Sequence, residues 1–230
     1  MAIRPKQIDT LMDKASKTLA ATEYFKAETL AEQALKLARQ AEDFERMARI
    51  ILPLQETRRQ RLQMALDVGT ITILEEPVGE DTKVESGCYL VRPPLVGADA
   101  RRLRLAALHQ EVPVAVVCRE PLTDLKLCPI VAIGPGVTVR TKVKPPKKPD
   151  APTMAWFTMA LETLGDFAIE TIDPGVAALK RLDILIARLD AIPDHEGLHH
   201  AVAEACAAAE AEARDGTGKS RRNARSSADA

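Results

Sequence analysis

The amino-acid sequence predicts a mixed α+β protein in which helical hairpins flank a small α/β sheet domain. Two regions, 1–67 and 155–213, repeat their apolar residues at spacings of three and four, which places those residues on one helix face. Between them, residues 68–144 contain short runs of β-branched residues that end at proline or glycine, as strands do. Residues 145–154, rich in proline and lysine, are expected to form a linker, and residues 214–230 a disordered tail.

The most regular segment is 22–43, which predicts the second helix of a hairpin whose first helix covers 6–21. Its small and apolar stripe consists of Ala27, Leu30, Ala31, Ala34, Ala38 and Ala41. An alanine-rich stripe lets a neighbouring helix approach closely. A third helix is expected after Asp43, a suitable N-cap, and Pro53 is expected to kink or break it because proline removes a ladder hydrogen bond.

These helices resemble the tetratricopeptide repeat. The aromatic pair Tyr24–Phe25, then Ala27, then Ala34–Leu35 and Asp43 follow the family's aromatic, small, small and turn pattern. The resemblance covers residues 7–67. It implies stacked helix pairs of the kind that bind another protein.

A weaker likeness to the same family occurs over 155–210, where Trp156 and the pair Leu164–Gly165 match its first helix. The resemblance implies a groove that captures a partner peptide or helix. With so few hairpins the groove would be shallow, so self-association is also expected. The candidate groove residues are Tyr24, Phe25, Arg58 and Arg59.

The middle region predicts a sheet of four or five strands. The run 113–118 is continuously apolar, which is typical of a strand buried on both faces. Together with the strand 88–92 and the helix 97–110 it suggests a βαβ unit. Residues 137–143 alternate valine with polar residues, which indicates a half-exposed strand near an edge. Further strands are expected over 70–77 and 129–133.

Composition limits the functional classes. The net charge of −1 gives no overall field that would attract nucleic acid or a membrane surface. No apolar run approaches the length of a membrane span, and the first residues lack the apolar core of a signal peptide. The four cysteines are scattered and form no CxxC pair. We therefore expect a cytoplasmic protein without a cofactor, whose partner is a protein or peptide.

One short motif suggests an enzyme instead. His195, Glu196 and His199 fit the HExxH pattern of zincin metalloproteases, in which the two histidines hold zinc and the glutamate is the general base. The motif follows Pro193 directly, so it lies at a helix start, and Asp194 could simply be the N-cap of that helix. A zinc-dependent hydrolase is thus the alternative to a scaffold.

A second alternative is a weak nucleic-acid-binding protein. Its basic residues would be Arg58–Arg61, the lysines of 142–148 and Arg221–Arg225. No aromatic residues alternate with the lysines to stack on bases, which disfavours nucleic acid as a partner. The favoured prediction is a non-enzymatic interaction protein.

Overall fold

The computed structural model describes residues 5–226 except 78, 80 and 81, and only the helical backbone of 215–226. The described residues form seven helices and a five-stranded sheet, which confirms the mixed α+β class. The elements in chain order are α1 Pro5–Ala20, α2 Tyr24–Gln40, α3 Phe44–Leu66, β1 Ile71–Leu74, β2 Gly87–Val91, α4 Gly97–His109, β3 Val114–Arg119, β4 Cys128–Gly134, β5 Val137–Val143, α5 Met154–Glu170, α6 Ala178–Ala191 and α7 Glu196–Ser226.

Helices α1, α2 and α3 pack as consecutive antiparallel neighbours joined by short turns. Four residues of the predicted stripe, Ala27, Ala31, Ala34 and Ala38, are buried as their spacing predicts. Leu30 is half-buried, and Ala41, which follows the last residue of α2, is exposed. Asp43 caps α3, because its carboxylate accepts a hydrogen bond from the Arg46 backbone N–H at 3.0 Å. Pro53 does not break α3, which continues to Leu66. Buried side chains on both sides of the proline, such as Ile50 and Leu54, hold the helix against the core.

The sheet has the order β1-β2-β3-β4-β5. Strands β1, β2 and β3 are parallel, whereas β3–β4 and β4–β5 are antiparallel. The helix α4 therefore connects two parallel neighbours, and the βαβ prediction is confirmed. Strand β5 lies at an edge and alternates buried and exposed residues, as expected.

The two faces of the sheet have different covers. One face packs on a large core formed with α1, α2, α3, α5, α6 and α7. The other face carries α4 and a smaller apolar cluster around Leu103 and Tyr89. The large core runs without interruption through both helical regions, so the sheet and the helices share one interior.

Strands β3 and β4 are separated along most of their length. They pair only at Cys118–Val131 and Arg119–Ile130, whereas β4 and β5 pair over seven residues. We call the gap between residues 114–117 of β3 and 132–134 of β4 the fork. A side chain from α4 can pass through the fork to the helices on the opposite face.

The carboxyl-terminal part differs from two expectations. Within the proposed linker, Asp150 pairs with Arg92 at 2.6 Å, and directly before the linker the Lys144 carbonyl accepts a hydrogen bond from Trp156 Nε1 at 2.8 Å. Helix α7 continues to Ser226, through most of the predicted tail, because adding residues to an existing helix is easier than starting one. Residues 227–230 of that tail lie outside the described part of the chain. None of the described helices is long and apolar enough to cross a membrane.

Candidate functional site

A buried ionic network joins α2 to α3. The Glu28 carboxylate accepts a hydrogen bond from Arg58 Nε at 2.8 Å on one oxygen and one from Arg61 Nη1 on the other. Arg58 also donates to Glu32 at 2.7 Å, and Arg61 lies over the Phe25 ring at 4.4 Å. Residues three or four apart share a helix face, so Glu28 and Glu32 of α2 can meet Arg58 and Arg61 of α3.

Two nitrogens of this network have no hydrogen-bond partner. They are Arg58 Nη1 and Arg61 Nε, and the side chains that carry them are 4% and 9% exposed. Burial lowers the pKa of Arg61, because the charged guanidinium is removed from water. A buried donor without an acceptor costs about 1–3 kcal/mol, and more when it is charged. Both nitrogens have almost no accessible surface, so a ligand would reach them only after the side chains move.

Both arginines line a cavity of about 550 Å³ between α2, α3, α4 and α6. We call it the arginine cavity. Among the described residues that line it, six are basic, four are acidic and nine are apolar. The basic residues are Lys36, Arg39, Arg58, Arg61, Arg101 and Arg104; the acidic ones are Glu28, Glu32, Asp190 and Asp194; the apolar ones are Leu35, Leu54, Leu105, Leu108, Val114, Pro135, Ile186, Leu189 and Pro193.

Arg104 connects the two faces of the sheet at the arginine cavity. It starts on α4, and its guanidinium donates to the Ala191 carbonyl and, at 3.1 Å, to the Asp190 carbonyl at the end of α6. These carbonyls belong to the last turn of a helix, where cations are favoured. The β4 residue Gly134 lets the end of α6 pack closely on the sheet, since a Cβ there would lie 3.0 Å from the Ala191 backbone nitrogen. The guanidinium of Arg104 thus bridges the gap between β3 and β4.

Two acidic residues of the arginine cavity, Asp190 and Asp194, ionise less readily than usual. Burial raises the pKa of Asp194, against the opposing charges of Arg61, Arg104 and Arg58. Burial also raises the pKa of Asp190. Because the six basic side chains of the lining outnumber the four acidic ones, the cavity favours a negative ligand.

The predicted groove residues do not form one surface. Phe25 and Arg58 meet around the buried network, through Arg61 and Glu28. Arg58 is buried and paired with Glu28, so it does not lie on the outer surface of the helices, and its role in partner binding stays a prediction. Arg59 points to the outside, where its side chain is 56% exposed and pairs with Glu56 at 2.8 Å. Tyr24 is half-buried at the start of α2.

The HEGLH residues have separate structural contacts. His195 Nδ1 accepts a hydrogen bond from the Leu198 backbone N–H at 3.2 Å, so His195, and not Asp194, caps α7. Its Nε2 lies 3.3 Å from both Glu162 and Asp166 of α5, which fixes the donor tautomer. The ring packs on Gly165, where a Cβ would lie 2.0 Å from His195 Cγ.

The other two residues of the motif point elsewhere. His199 is 1% exposed and lies 3.0 Å, through Nδ1, from the His195 carbonyl, while its Nε2 has no partner. Glu196 is exposed and accepts from Gln55 at 3.0 Å. Within the described residues, no three His, Cys, Asp or Glu side chains are grouped to hold a metal ion. The zinc hypothesis stays a prediction that metal analysis can test.

The basic cluster assigned to nucleic acid is also divided. Arg58 and Arg61 are buried and paired, so they cannot contact a phosphate backbone at the surface. The side chains of Arg221–Arg225 lie outside the described part of the chain. Sequence analysis overlooked Glu28 and Arg104 as site residues, and it named Arg61 only within the basic cluster of the nucleic-acid alternative. The available signal was a pair of acids four apart on one predicted helix and arginines three apart on the next.

Comparison with known proteins adds no relative. No protein-family model, curated protein or solved structure matches the chain. The tetratricopeptide resemblance therefore stays a prediction, and the function has to be argued from the site itself.

Proposed function

We propose that the protein is a non-enzymatic interaction protein that captures its partner through an anionic group, bound in the arginine cavity. The observation that carries the proposal is the lining of this cavity, in which six basic side chains, Arg58 and Arg61 among them, outnumber four acidic ones. The proposal keeps the interaction role that the helical hairpins suggest. It moves the binding site from the outer groove to the interior.

Charge-assisted hydrogen bonds favour an anion over a neutral acceptor. Bonds from a guanidinium to a carboxylate or phosphate are about twice as strong as neutral ones. The low dielectric of a partly enclosed site strengthens them further. The cavity volume of about 550 Å³ lies within the range of small-molecule sites, about 300–1,000 Å³. Arg58 and Arg61 are already held by Glu28, so little side-chain entropy is lost on binding.

The lining favours binding over catalysis. Its described residues include no histidine, cysteine, serine or threonine that could act as a nucleophile or proton carrier near neutral pH. The acids present, Asp190 and Asp194, have raised pKa values and lie beside arginines. They are suited to hydrogen-bonding a ligand and to limiting the cavity's positive charge.

We also propose a cytoplasmic location. Cys88, Cys118, Cys128 and Cys206 are all buried free thiols. Burial raises the pKa of Cys88 to about 11 and that of Cys118 to about 12, so both stay protonated and unreactive. Free thiols persist in reducing compartments.

The proposal can be tested with acetate as the simplest carboxylate. Thermal unfolding is compared in acetate and in chloride at equal ionic strength, so that general salt effects cancel. Acetate is expected to raise the melting temperature of the wild type, because a ligand that binds only the folded state stabilises it. Arg61→Gln should abolish this shift. Arg59→Gln is the matched control, since Arg59 is on the same helix but faces outward.

A second variant distinguishes the loss of ligand binding from a general loss of stability. Arg58→Lys keeps a positive charge for Glu28 but removes the unpartnered Nη1. Each variant is compared with its own melting temperature in chloride, so a lower stability does not mimic a lost ligand. Equal acetate shifts in the wild type, Arg61→Gln and Arg58→Lys would contradict the proposal.

A further inference from the structure

The arginine cavity has an apolar wall in addition to its charged one. Leu105 and Leu108 lie on the same face of α4, with Leu105 45% exposed. Ile186 and Leu189 of α6 and Leu35 of α2 also line the space. An exposed leucine at the wall of a concave site can still gain burial when a ligand covers it. A purely polar anion would leave this surface uncovered.

The charges of the cavity limit the ligand's own charge. Six basic side chains face four acidic ones, and Arg39 is already paired with Asp183 at 2.7 Å. Glu28 occupies one face of both buried arginines. The excess of basic over acidic side chains is therefore too small to balance a multiply charged ligand such as a polyphosphate. A single negative group is the best match.

The guanidinium groups of the cavity also suit a carboxylate. A guanidinium can donate two parallel hydrogen bonds to the two oxygens of a carboxylate. A phosphate group would bring a further oxygen into a cavity that already contains the carboxyls of Asp190 and Asp194.

From these features we infer that the ligand is an aliphatic monocarboxylate, with its carboxylate on Arg58 and Arg61 and its hydrocarbon body against Leu105, Leu108 and Ile186. This inference rests on the proposed function and names the chemistry of the captured group. Two sources supply that chemistry: a free medium-chain carboxylic acid, or the carboxyl terminus of a peptide that ends in an aliphatic residue.

The test measures dissociation constants by calorimetry for octanoate, acetate and octanol with the full chain. Octanoate is expected to bind at least tenfold more tightly than acetate, since each buried methylene contributes roughly fourfold in affinity. Octanol, which lacks the charge, is expected to bind at least tenfold more weakly than octanoate. Leu105→Asn should reduce octanoate affinity severalfold and leave acetate unchanged. Leu125→Asn, at a residue that is 80% exposed in the β3–β4 loop, is the control.

A second arm separates the two sources. A short peptide with a carboxyl-terminal leucine is compared with the same peptide carrying a terminal amide. Binding of the acid but not the amide, more tightly than octanoate, supports the inference with a peptide as the source. Tighter binding of octanoate supports it with a free acid as the source.

The failures of the two proposals are distinguishable. Equal affinities for acetate and octanoate, with both lost in Arg61→Gln, would overturn the aliphatic body and leave anion capture standing. Octanol binding as tightly as octanoate would overturn the role of the carboxylate. The absence of binding by any of the carboxylates would overturn both proposals.

Discussion

Replacement of His199 tests the interior beside the ionic network through its pH dependence. Burial, with the positive charge of Arg58 added, lowers the pKa of His199 from 6.5 to about 3. The folded protein therefore keeps this imidazole neutral, while the unfolded chain binds a proton below pH 6.5. The unfolded state binds more protons in the window between these two values, so stability falls as the pH is lowered through it.

The size of this effect follows from the two pKa values. Because one proton is involved, the free energy of unfolding changes by up to about 1.4 kcal/mol per pH unit inside the window. The whole pKa shift corresponds to about 5 kcal/mol. Between about pH 7 and about pH 5, the contribution of His199 amounts to a loss of about 2 kcal/mol. This is a large fraction of the stability of a typical domain.

The assay is urea unfolding of the wild type and of His199→Gln across that pH range. The side chain of glutamine does not titrate, so the variant should lose about 2 kcal/mol less than the wild type on acidification. His200→Gln is the matched control, because His200 is the next residue and its side chain is 59% exposed. Equal losses in the wild type and His199→Gln would refute the buried, neutral histidine.

Three further substitutions test the packing through urea unfolding at neutral pH. Glu28→Gln should lower the free energy of unfolding by about 3–5 kcal/mol, because it leaves two buried arginines without their carboxylate. Glu32→Gln, the control at a half-exposed partner, should lower it by at most about 1 kcal/mol. Equal losses in the two variants would contradict the buried network. Gly165→Ala should cost about 1–3 kcal/mol or more, since its Cβ would overlap the His195 ring, and a neutral result would show that α7 is not held there. Asp43→Ala should cost about 1 kcal/mol through loss of the α3 cap, and an unchanged midpoint would contradict that cap.

Local patterns predicted most of the fold. The alanine stripe of α2 and the alternation in β5 both follow from the periodicity of a single element. The N-cap role of Asp43 is local as well, because the side chain bonds to a backbone group three residues later. Of the kink or break expected at Pro53, the break does not occur, because the buried neighbours of the proline outweigh one lost hydrogen bond.

The site depends on contacts that no local pattern contains. Glu28 and Arg58 are thirty residues apart, and Arg104 reaches Ala191 only because β3 and β4 separate at the fork. A charged residue on a predicted helix is usually assigned to the solvent face, which is why Glu28 and Arg104 were overlooked. The HEGLH motif shows the converse. Its spacing suggests zinc, but in the folded chain His195 contacts Glu162 and Asp166 of α5.

The central claim is that Arg61 donates to a carboxylate that enters the arginine cavity. The most direct measurement is the side-chain Nε–H resonance of each arginine in a nitrogen-15 NMR spectrum, followed during titration with octanoate. The account predicts that the Arg61 resonance shifts to saturation, as a new hydrogen bond forms, while that of the outward-facing Arg59 stays in place. An Arg61 resonance that does not move while others shift would contradict it.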